Sequence, residues 1–152
     1  MARAPFQVLV IPYGLTEHER FEYALLRRPD AGYWQPVAGG GEVGETPLQA
    51  ARREAFEEAG IDPVSAYLPL STIESVPVTQ FAESHLWGND VYVVPQCCFG
   101  VLAGDRQLML SPEHTEYAWL AFDAALERLR WDGEKTALWE LDRRLRGLGP
   151  RD

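Results

Sequence analysis

The stretch "GGGEVGETPLQAARREAFEEAG", residues 39–60, constrains the fold more than any other part of the chain. It begins with glycines, continues into the start of a helix and ends with clustered carboxylates. Thr46 is a good N-cap, Pro47 suits the first helical turn, and Gln49 completes a capping-box pattern. Gly60 suits the left-handed residue that ends many helices. The sequence therefore predicts a helix that begins near Thr46 and ends at Gly60.

The predicted helix has an apolar stripe and an acidic flank beside it. Four apolar residues recur at helical spacing and predict the buried stripe: Leu48, Ala51, Ala55 and Ala59. At about 100° per residue, Glu54, Glu57 and Glu58 fall together on one flank of that stripe. Like charges one turn apart repel by about 0.2–0.5 kcal/mol per pair on an exposed helix. Either solvent screens these carboxylates, or a cation lies among them.

The rest of the chain predicts strands on both sides of this helix and helices at the C-terminal end. The predicted strands are residues 5–14, 21–29, 66–78, 90–104, 106–111 and 116–122, with a short extended piece at 33–45 that runs into a Gly-rich loop. The predicted C-terminal helices are residues 123–130 and 134–147. Strands that precede, flank and follow one helix indicate a single α/β layered domain over residues 1–152.

Charge and cysteine usage narrow the partners. The formal net charge of −9 disfavours duplex nucleic acid, because binding there depends on neutralising phosphates with Lys and Arg. A small phosphorylated substrate remains compatible if a divalent metal supplies local positive charge. We expect no membrane span, since no apolar run reaches roughly 18 residues, and we expect the N-terminal segment to be a strand and not a signal peptide. Cys97 and Cys98 suit buried thiols in a reducing compartment, which favours a cytoplasmic location.

The spacing of the fixed residues in the 39–60 stretch is specific. The order is Gly39-x5-Glu45-x7-Arg53-Glu54-Ala55-x-Glu57-Glu58-x-Gly60-Ile61. This pattern resembles the signature of the Nudix hydrolases, with a soft departure at Ala55, where that family has a bulkier aliphatic residue. The resemblance implies the Nudix α/β/α sandwich, a single domain with a mixed β-sheet. It also implies hydrolysis of a nucleoside diphosphate linked to another moiety, with Mg²⁺ or Mn²⁺ as cofactor.

The same resemblance assigns roles to residues of the motif. It implies that Glu54, Glu57 and Glu58 are metal ligands and catalytic residues, and that Gly39 brings a backbone group to the metal. It further implies that Glu45 and Arg53 form a supporting salt bridge that shapes the loop. Mg²⁺ prefers oxygen ligands and keeps several waters, so one or two carboxylates plus substrate phosphates suffice to hold it. No serine, cysteine or histidine nucleophile is then required.

A general base is expected outside the helix, within reach of the attacking water. The segment "SPEHTEYAWL" offers Glu113, His114 and Glu116, and "ESHLWG" offers Glu83 and His85. Several segments of the chain are similar to bacterial dihydroneopterin triphosphate pyrophosphatases, also described as dATP pyrophosphohydrolases. In that branch a loop glutamate preceding a histidine is an additional metal ligand, which favours Glu113 as a further ligand and catalytic residue here. The identity of the base and the oligomeric state stay open.

The branch resemblance also implies how the substrate binds. Arg27, in the second predicted strand, corresponds to a substrate-binding arginine, and Arg3 is a second candidate. Gly40 places backbone near the substrate, and Trp87 is the aromatic residue favoured to stack on a base or pterin. The expected substrate is a nucleoside triphosphate or similar compound, such as dihydroneopterin triphosphate or dATP, cleaved to a monophosphate and pyrophosphate.

Three observations keep other substrates and one other class open. The chain has Ala38-Gly39-Gly40 where the family pattern ends its glycine-rich lead in "TGS", which removes a hydroxyl contact to substrate. Pro77 resembles a mark of ADP-ribose pyrophosphatases, so ADP-ribose or another nucleoside-diphosphate-linked compound is the alternative substrate. A nucleotide sensor without catalysis is the alternative class, and it is disfavoured because such proteins usually lose carboxylates that this chain keeps.

Overall fold

The computed structural model describes residues 2–151 as a mixed β-sheet with helices on both faces. The strands are β1 (Arg3–Leu15), β2 (Phe21–Arg28), β3 (Tyr33–Gln35), β4 (Val37–Glu42), β5 (Tyr67–Pro77), β6 (Val93–Leu102) and β7 (Glu116–Leu120). The helices are α1 (Pro47–Ala59), α2 (Phe122–Arg128) and α3 (Asp132–Leu145), and two short 3₁₀ turns follow β5 at Val78–Gln80 and Ala82–Leu86. Within this part of the chain, no helix combines the length and apolar character needed to cross a membrane.

The sheet is built around β1. Its strand order is β3-β2-β1-β6-β5, with β4 also paired to β1 and β7 to β2. The β1–β6 pair is parallel and the other pairs are antiparallel. The predicted mixed sheet in an α/β/α arrangement is therefore confirmed.

Alternation along β1 creates two cores. Val8 and Val10 are fully buried on the face covered by α1, whereas Leu9 and Ile11 are fully buried on the face covered by α2 and α3. Successive side chains of a strand point to opposite faces, so a strand covered on both sides is apolar at every position. This explains why the run "VLVI" shows no polar alternation.

Helix α1 follows its sequence signals. The Gln49 backbone N–H donates to the Thr46 hydroxyl at 3.2 Å, and the Thr46 backbone N–H donates to the Gln49 side-chain oxygen at 2.8 Å. Gly60 follows the helix with φ of 70°, the left-handed conformation expected of it. Ala51 and Ala55 are completely buried against the sheet. The predicted helix, its cap and its buried stripe are confirmed.

Two sequence predictions were wrong. Residues 106–111 do not form a strand, because they pack on the C-terminal end of α1: the Met109 N–H donates to the Ala59 carbonyl at 3.0 Å. Hydrogen bonding to a helix end takes the place of strand pairing there. The glycines predicted to lie in a loop belong to β4, where Gly39 and Gly40 pair with β1. Their pairing with a distant strand outweighs the weak strand preference of glycine.

Candidate functional site

A cavity of about 770 Å³ lies between α1, the central strands and the start of α3. It is lined by carboxylates at two places. Glu54, Glu58 and Glu113 lie near α1, and Glu74 of β5 lies with Glu134 of α3 on the other side. A concave site with convergent polar groups is typical of a binding or catalytic site.

Two glycines of β4 let charged side chains lie directly against the strand. A Cβ atom at Gly39 would lie 2.1 Å from Cδ of Glu54. A Cβ atom at Gly40 would lie 1.7 Å from Nε of Arg3. Any side chain at either position would displace the carboxylate or the guanidinium, so glycine is required by close approach.

Arg53 holds the acidic flank of α1 in place. Its Nε donates to Glu45 at 2.8 Å, and its Nη2 donates to Glu45 at 3.0 Å and to the Gly40 carbonyl at 2.8 Å. Its Nη1 donates to Glu54 at 2.9 Å and to Glu57 at 3.3 Å. The hydrogen bond from Arg53 lowers the pKa of the Glu45 carboxyl. The planar guanidinium thereby connects the loop, β4 and the helix through a fixed fork of donors.

Glu58 is the buried carboxyl of the group, with 4% of its surface exposed. Burial raises the pKa of Glu58 strongly, and the neighbouring Glu54 carboxyl raises it further. Its Oε1 lies 3.9 Å from Nδ1 of His114, and neither atom has a hydrogen-bond partner among the described residues. Burial likewise lowers the pKa of His114, which favours its neutral form. The pair therefore leaves an unsatisfied oxygen that a cation would complete.

The donor set at this place fits a divalent cation. Glu58, Glu113 and His114 each offer one ligand atom, and the three atoms lie within 4.8 Å of one another. The carboxylate of Glu54 lines the same side of the cavity. Carboxylate oxygens are ligands that Mg²⁺ and Mn²⁺ accept. These residues are the ones that would hold the metal.

The structure brings six of the predicted site residues to the cavity wall and leaves others outside it. The six are Arg3, Gly39, Gly40, Glu54, Glu58 and Glu113. Glu57 does not line the cavity, and its side chain is 55% exposed beside Arg53. Arg27 is likewise outside, with Nη1 donating to Glu116 at 3.2 Å. Trp87 donates its indole N–H to the Arg3 carbonyl at 2.9 Å, so it packs behind the cavity wall.

The alternatives for a general base are separated by position. Glu113 lines the cavity beside Glu58. Glu83 lies 4.0 Å from the Arg3 guanidinium, and His85 has its Nδ1 3.0 Å from the Ala82 carbonyl. Of these side chains, Glu113 is the one that reaches the acidic cluster.

Several cavity residues carry no motif in the sequence. The aromatic residues of the wall are Tyr33, Phe81 and Trp131, and Arg28 lines it in place of its neighbour Arg27. Strand alternation could have separated the two arginines, because Arg28 lies on the same face of β2 as the buried Leu26. The aromatic residues come from three separate segments, so no local pattern unites them.

The cavity combines groups that bind anions with groups that bind cations. Arg3 and Arg28 are at the wall, and the Arg3 Nε is buried without a hydrogen-bond partner among residues 2–151. Guanidinium groups bind phosphate oxygens, whereas the carboxylates near α1 bind a divalent cation. Together they suit a phosphorylated substrate that binds with a metal.

Comparison with known proteins agrees with this geometry. A model of the NUDIX domain matches residues 8–139. The chain is 33% identical over 127 residues to dihydroneopterin triphosphate diphosphatase of Escherichia coli (strain K12), which covers 81% of this chain and 82% of that protein. It is 31% identical over 126 residues to bis(5'-nucleosyl)-tetraphosphatase [asymmetrical] of Sus scrofa, covering 82% of this chain and 81% of that protein. A crystal structure from Listeria monocytogenes str. 4b F2365, assigned to the NUDIX hydrolases, superposes with a TM-score of 0.84 at 40% identity, covering 95% of this chain and 96% of that one.

Proposed function

The chain belongs to the Nudix family of hydrolases, enzymes that act on phosphoanhydride bonds, and from that premise we propose that it is a metal-dependent pyrophosphohydrolase. Its proposed substrate is a nucleoside triphosphate or similar compound, such as dihydroneopterin triphosphate or dATP. Water attacks phosphorus, the phosphoanhydride P–O bond breaks, and a monophosphate and pyrophosphate are released. The proposed cofactor is Mg²⁺ or Mn²⁺.

The observation that carries this proposal is the buried Glu58 carboxyl with an unpartnered oxygen, next to Glu54 and within ligand distance of Glu113. Burying two neighbouring carboxyls destabilises a protein unless opposite charge compensates them. When bound, a divalent cation supplies that charge, neutralises phosphate oxygens and lowers the pKa of a nearby water. The site is thus arranged for a ligand that brings a cation and phosphates together.

The remaining roles follow from contacts of the chain itself. Arg53 fixes the orientation of the Glu54 carboxyl through its 2.9 Å hydrogen bond. Arg3 and Arg28 bind phosphate oxygens from the opposite wall. Glu113, exposed at the cavity mouth, accepts the proton of the attacking water. The two free thiols, Cys97 and Cys98, support a reducing, cytoplasmic compartment for this activity.

The test measures pyrophosphate release from a panel of nucleoside and pterin triphosphates in Mg²⁺ and in Mn²⁺. We expect Glu58→Gln to lower kcat by at least about 100-fold, because it removes an anionic ligand without changing side-chain shape. Glu17→Gln, the same substitution at an exposed turn, is the matched control and should retain wild-type kcat. A wild-type protein inactive on every compound with both metals would contradict the proposal.

One observation favours a second candidate substrate class. Pro77, the mark shared with ADP-ribose pyrophosphatases, lines the cavity. A nucleoside diphosphate linked to another group would be cleaved to two monophosphate products, without pyrophosphate. Product analysis on ADP-ribose therefore separates the two classes. Tight nucleotide binding without turnover of any compound would instead indicate a sensor.

A further inference from the structure

A second pair of carboxyls, Glu74 and Glu134, lies at the far end of the cavity from α1. Its position follows from strand register: Gly40 pairs with Gln7, Gln7 with Gln96, and Gln96 with Glu74, across β4, β1, β6 and β5. Three strand spacings of about 4.8 Å place Glu74 roughly 14 Å from Gly40. A substrate whose phosphates lie beside α1 can therefore reach this pair with a ring at its other end.

The Glu74 carboxyl is held by a chain of side-chain hydrogen bonds. The Gln7 amide donates to the Gln96 oxygen at 3.0 Å, and the Gln96 amide donates to Oε2 of Glu74 at 3.1 Å. Gly133 at the start of α3 packs on the same carboxyl, since a Cβ atom there would lie 2.3 Å from Cδ of Glu74. This support fixes the position of the carboxyl as a hydrogen-bond acceptor.

The Glu134 carboxyl is only partly satisfied by the protein. Glu134 is 4% exposed, and the Trp131 backbone hydrogen-bonds to its carboxyl at the start of α3. Its Oε1 atom has no hydrogen-bond partner among the described residues. Burial raises the pKa of Glu134 to about 8, and the Glu74 charge raises it further. Helix capping therefore accounts for part of this carboxyl and leaves a buried acceptor that faces the cavity.

A metal ion is not the partner that this pair fits. Within residues 2–151, the group with three ligand atoms within 4.8 Å of one another is Glu58, Glu113 and His114, and neither Glu74 nor Glu134 belongs to such a group. The wall near the pair is aromatic instead: Tyr33 and Trp131 meet edge to face with ring centroids 6.4 Å apart, and both line the cavity. Aromatic walls and unpartnered acceptors suit a planar ring that carries N–H groups.

On the basis of the proposed function, we propose that Glu74 and Glu134 bind the N–H edge of a 2-amino-4-oxopyrimidine ring, as found in pterins and guanine. Such a ring presents a ring N–H and an adjacent amino group, two donors side by side. Adenine presents an amino group beside an unprotonated ring nitrogen, whose lone pair opposes a carboxylate oxygen. The pair therefore selects pterin and guanine compounds over adenine compounds, and acts as a specificity determinant at a distance from the reacting phosphates.

The first test measures ring binding without turnover. Neopterin, which is fluorescent and carries no phosphate, is titrated into the protein in EDTA, with guanosine and adenosine as competitors. We expect guanosine to displace neopterin about 10- to 100-fold more effectively than adenosine, the discrimination of one good two-point contact. We expect Glu134→Gln and Glu74→Gln each to remove most of that preference. Glu127→Gln, an exposed carboxyl of α2, is the control and should keep it.

The second test measures kcat and KM for dGTP and dATP in the same variants. We expect the variants to raise KM for dGTP more than they lower kcat, because the pair contacts the ring and not the phosphates. Melting temperatures identify a variant that fails to fold, and the other isosteric variant then carries the test. Absence of neopterin binding, equal competition by the two nucleosides, or an unchanged preference in folded variants would overturn the inference. Failure of the proposed function is distinct, since it would abolish turnover while ring binding in EDTA persists.

Discussion

At the scale of single residues, the distance between the β4 backbone and its charged neighbours is set by the absence of two side chains. The Glu54 carboxyl occupies the space that a Cβ atom at Gly39 would take, and the Arg3 guanidinium does the same at Gly40. Anion-binding and cation-binding groups thus approach one strand at adjacent positions. Such close approach of charge to backbone positions both groups for a ligand that spans them.

Gly39→Ala tests this arrangement. The new methyl group would push the Glu54 carboxyl away from β4, and a displacement of about 1 Å at a reacting site can lower the rate about 100-fold. We therefore expect kcat/KM to fall by about that factor, measured as pyrophosphate release. Gly104→Ala is the matched control, since a Cβ atom there would meet nothing within 4 Å. A Gly39→Ala enzyme with wild-type kcat/KM would contradict the proposed role of Glu54.

At the scale of elements, α3 is joined to the edge strand β5 by the carboxyl of Glu140. The backbone N–H groups of Ser71 and Thr72 donate to it at 2.7 and 2.8 Å. These donors lie where the β5–β6 register shifts, between Pro69 and Ile73. A carboxylate from the helix replaces the pairing that the irregular strand cannot make, and this holds β5, with Glu74, against the start of α3.

Glu140 should make stability depend on pH in the acid range. Burial raises its pKa, but hydrogen bonds from Ser71 and Thr72 outweigh burial and lower it to about 2 from the ordinary 4.5. The folded-state pKa is the lower one, so the stabilisation is complete above about pH 4.5 and is lost as pH falls towards 2.

We expect Glu140→Ala to lower the free energy of unfolding at pH 7 by about 2–3 kcal/mol, since charged hydrogen bonds are lost. The difference from wild type should shrink at pH 3, as measured by urea unfolding at both pH values. Glu127→Ala, at an exposed helix position, should differ little from wild type at either pH. A Glu140→Ala deficit that is equal at pH 7 and pH 3 would show that the charge of this carboxyl is not the cause.

At the scale of the whole molecule, acidic groups are in excess and converge on one cavity. The chain carries a formal charge of −9, and five of its carboxyls line the cavity beside α1 and near β5 and α3, together with Asp30. Self-repulsion of this kind destabilises the compact state until a ligand of opposite charge binds. The proposed metal should therefore stabilise the whole fold as well as support activity.

Mg²⁺ should raise the melting temperature of the wild-type protein by several degrees, because a cation that binds the folded state stabilises it by mass action. The rise should be absent when Glu54→Gln and Glu58→Gln are combined. NaCl at equal ionic strength is the control, since screening affects both proteins alike. An equal Mg²⁺ effect in the wild-type protein and the double variant would place the cation elsewhere.

Local chemistry explains what could be predicted from the sequence. The capping box of α1, its buried alanines and the acidic flank depend on residues three and four positions apart, so the printed order of residues determines them. The same holds for Glu45 and Arg53, whose spacing brings them together around one helix start. Gly39 and Gly40 also stood out, although their conformation did not, because pairing with β1 turns them into a strand.

Tertiary structure decided the rest of the cavity. Glu113 and His114 join Glu58 only because residues after β6 fold back on the end of α1. Gln7, Gln96 and Glu74 form one row because strands far apart in sequence share a register, and Glu134 meets them from another helix. Pairing of distant strands depends on the packing of all layers at once, which no local window of sequence contains. The sequence by itself therefore determined the catalytic helix of this protein, whereas only the folded chain determined which residues face the ring end of its substrate.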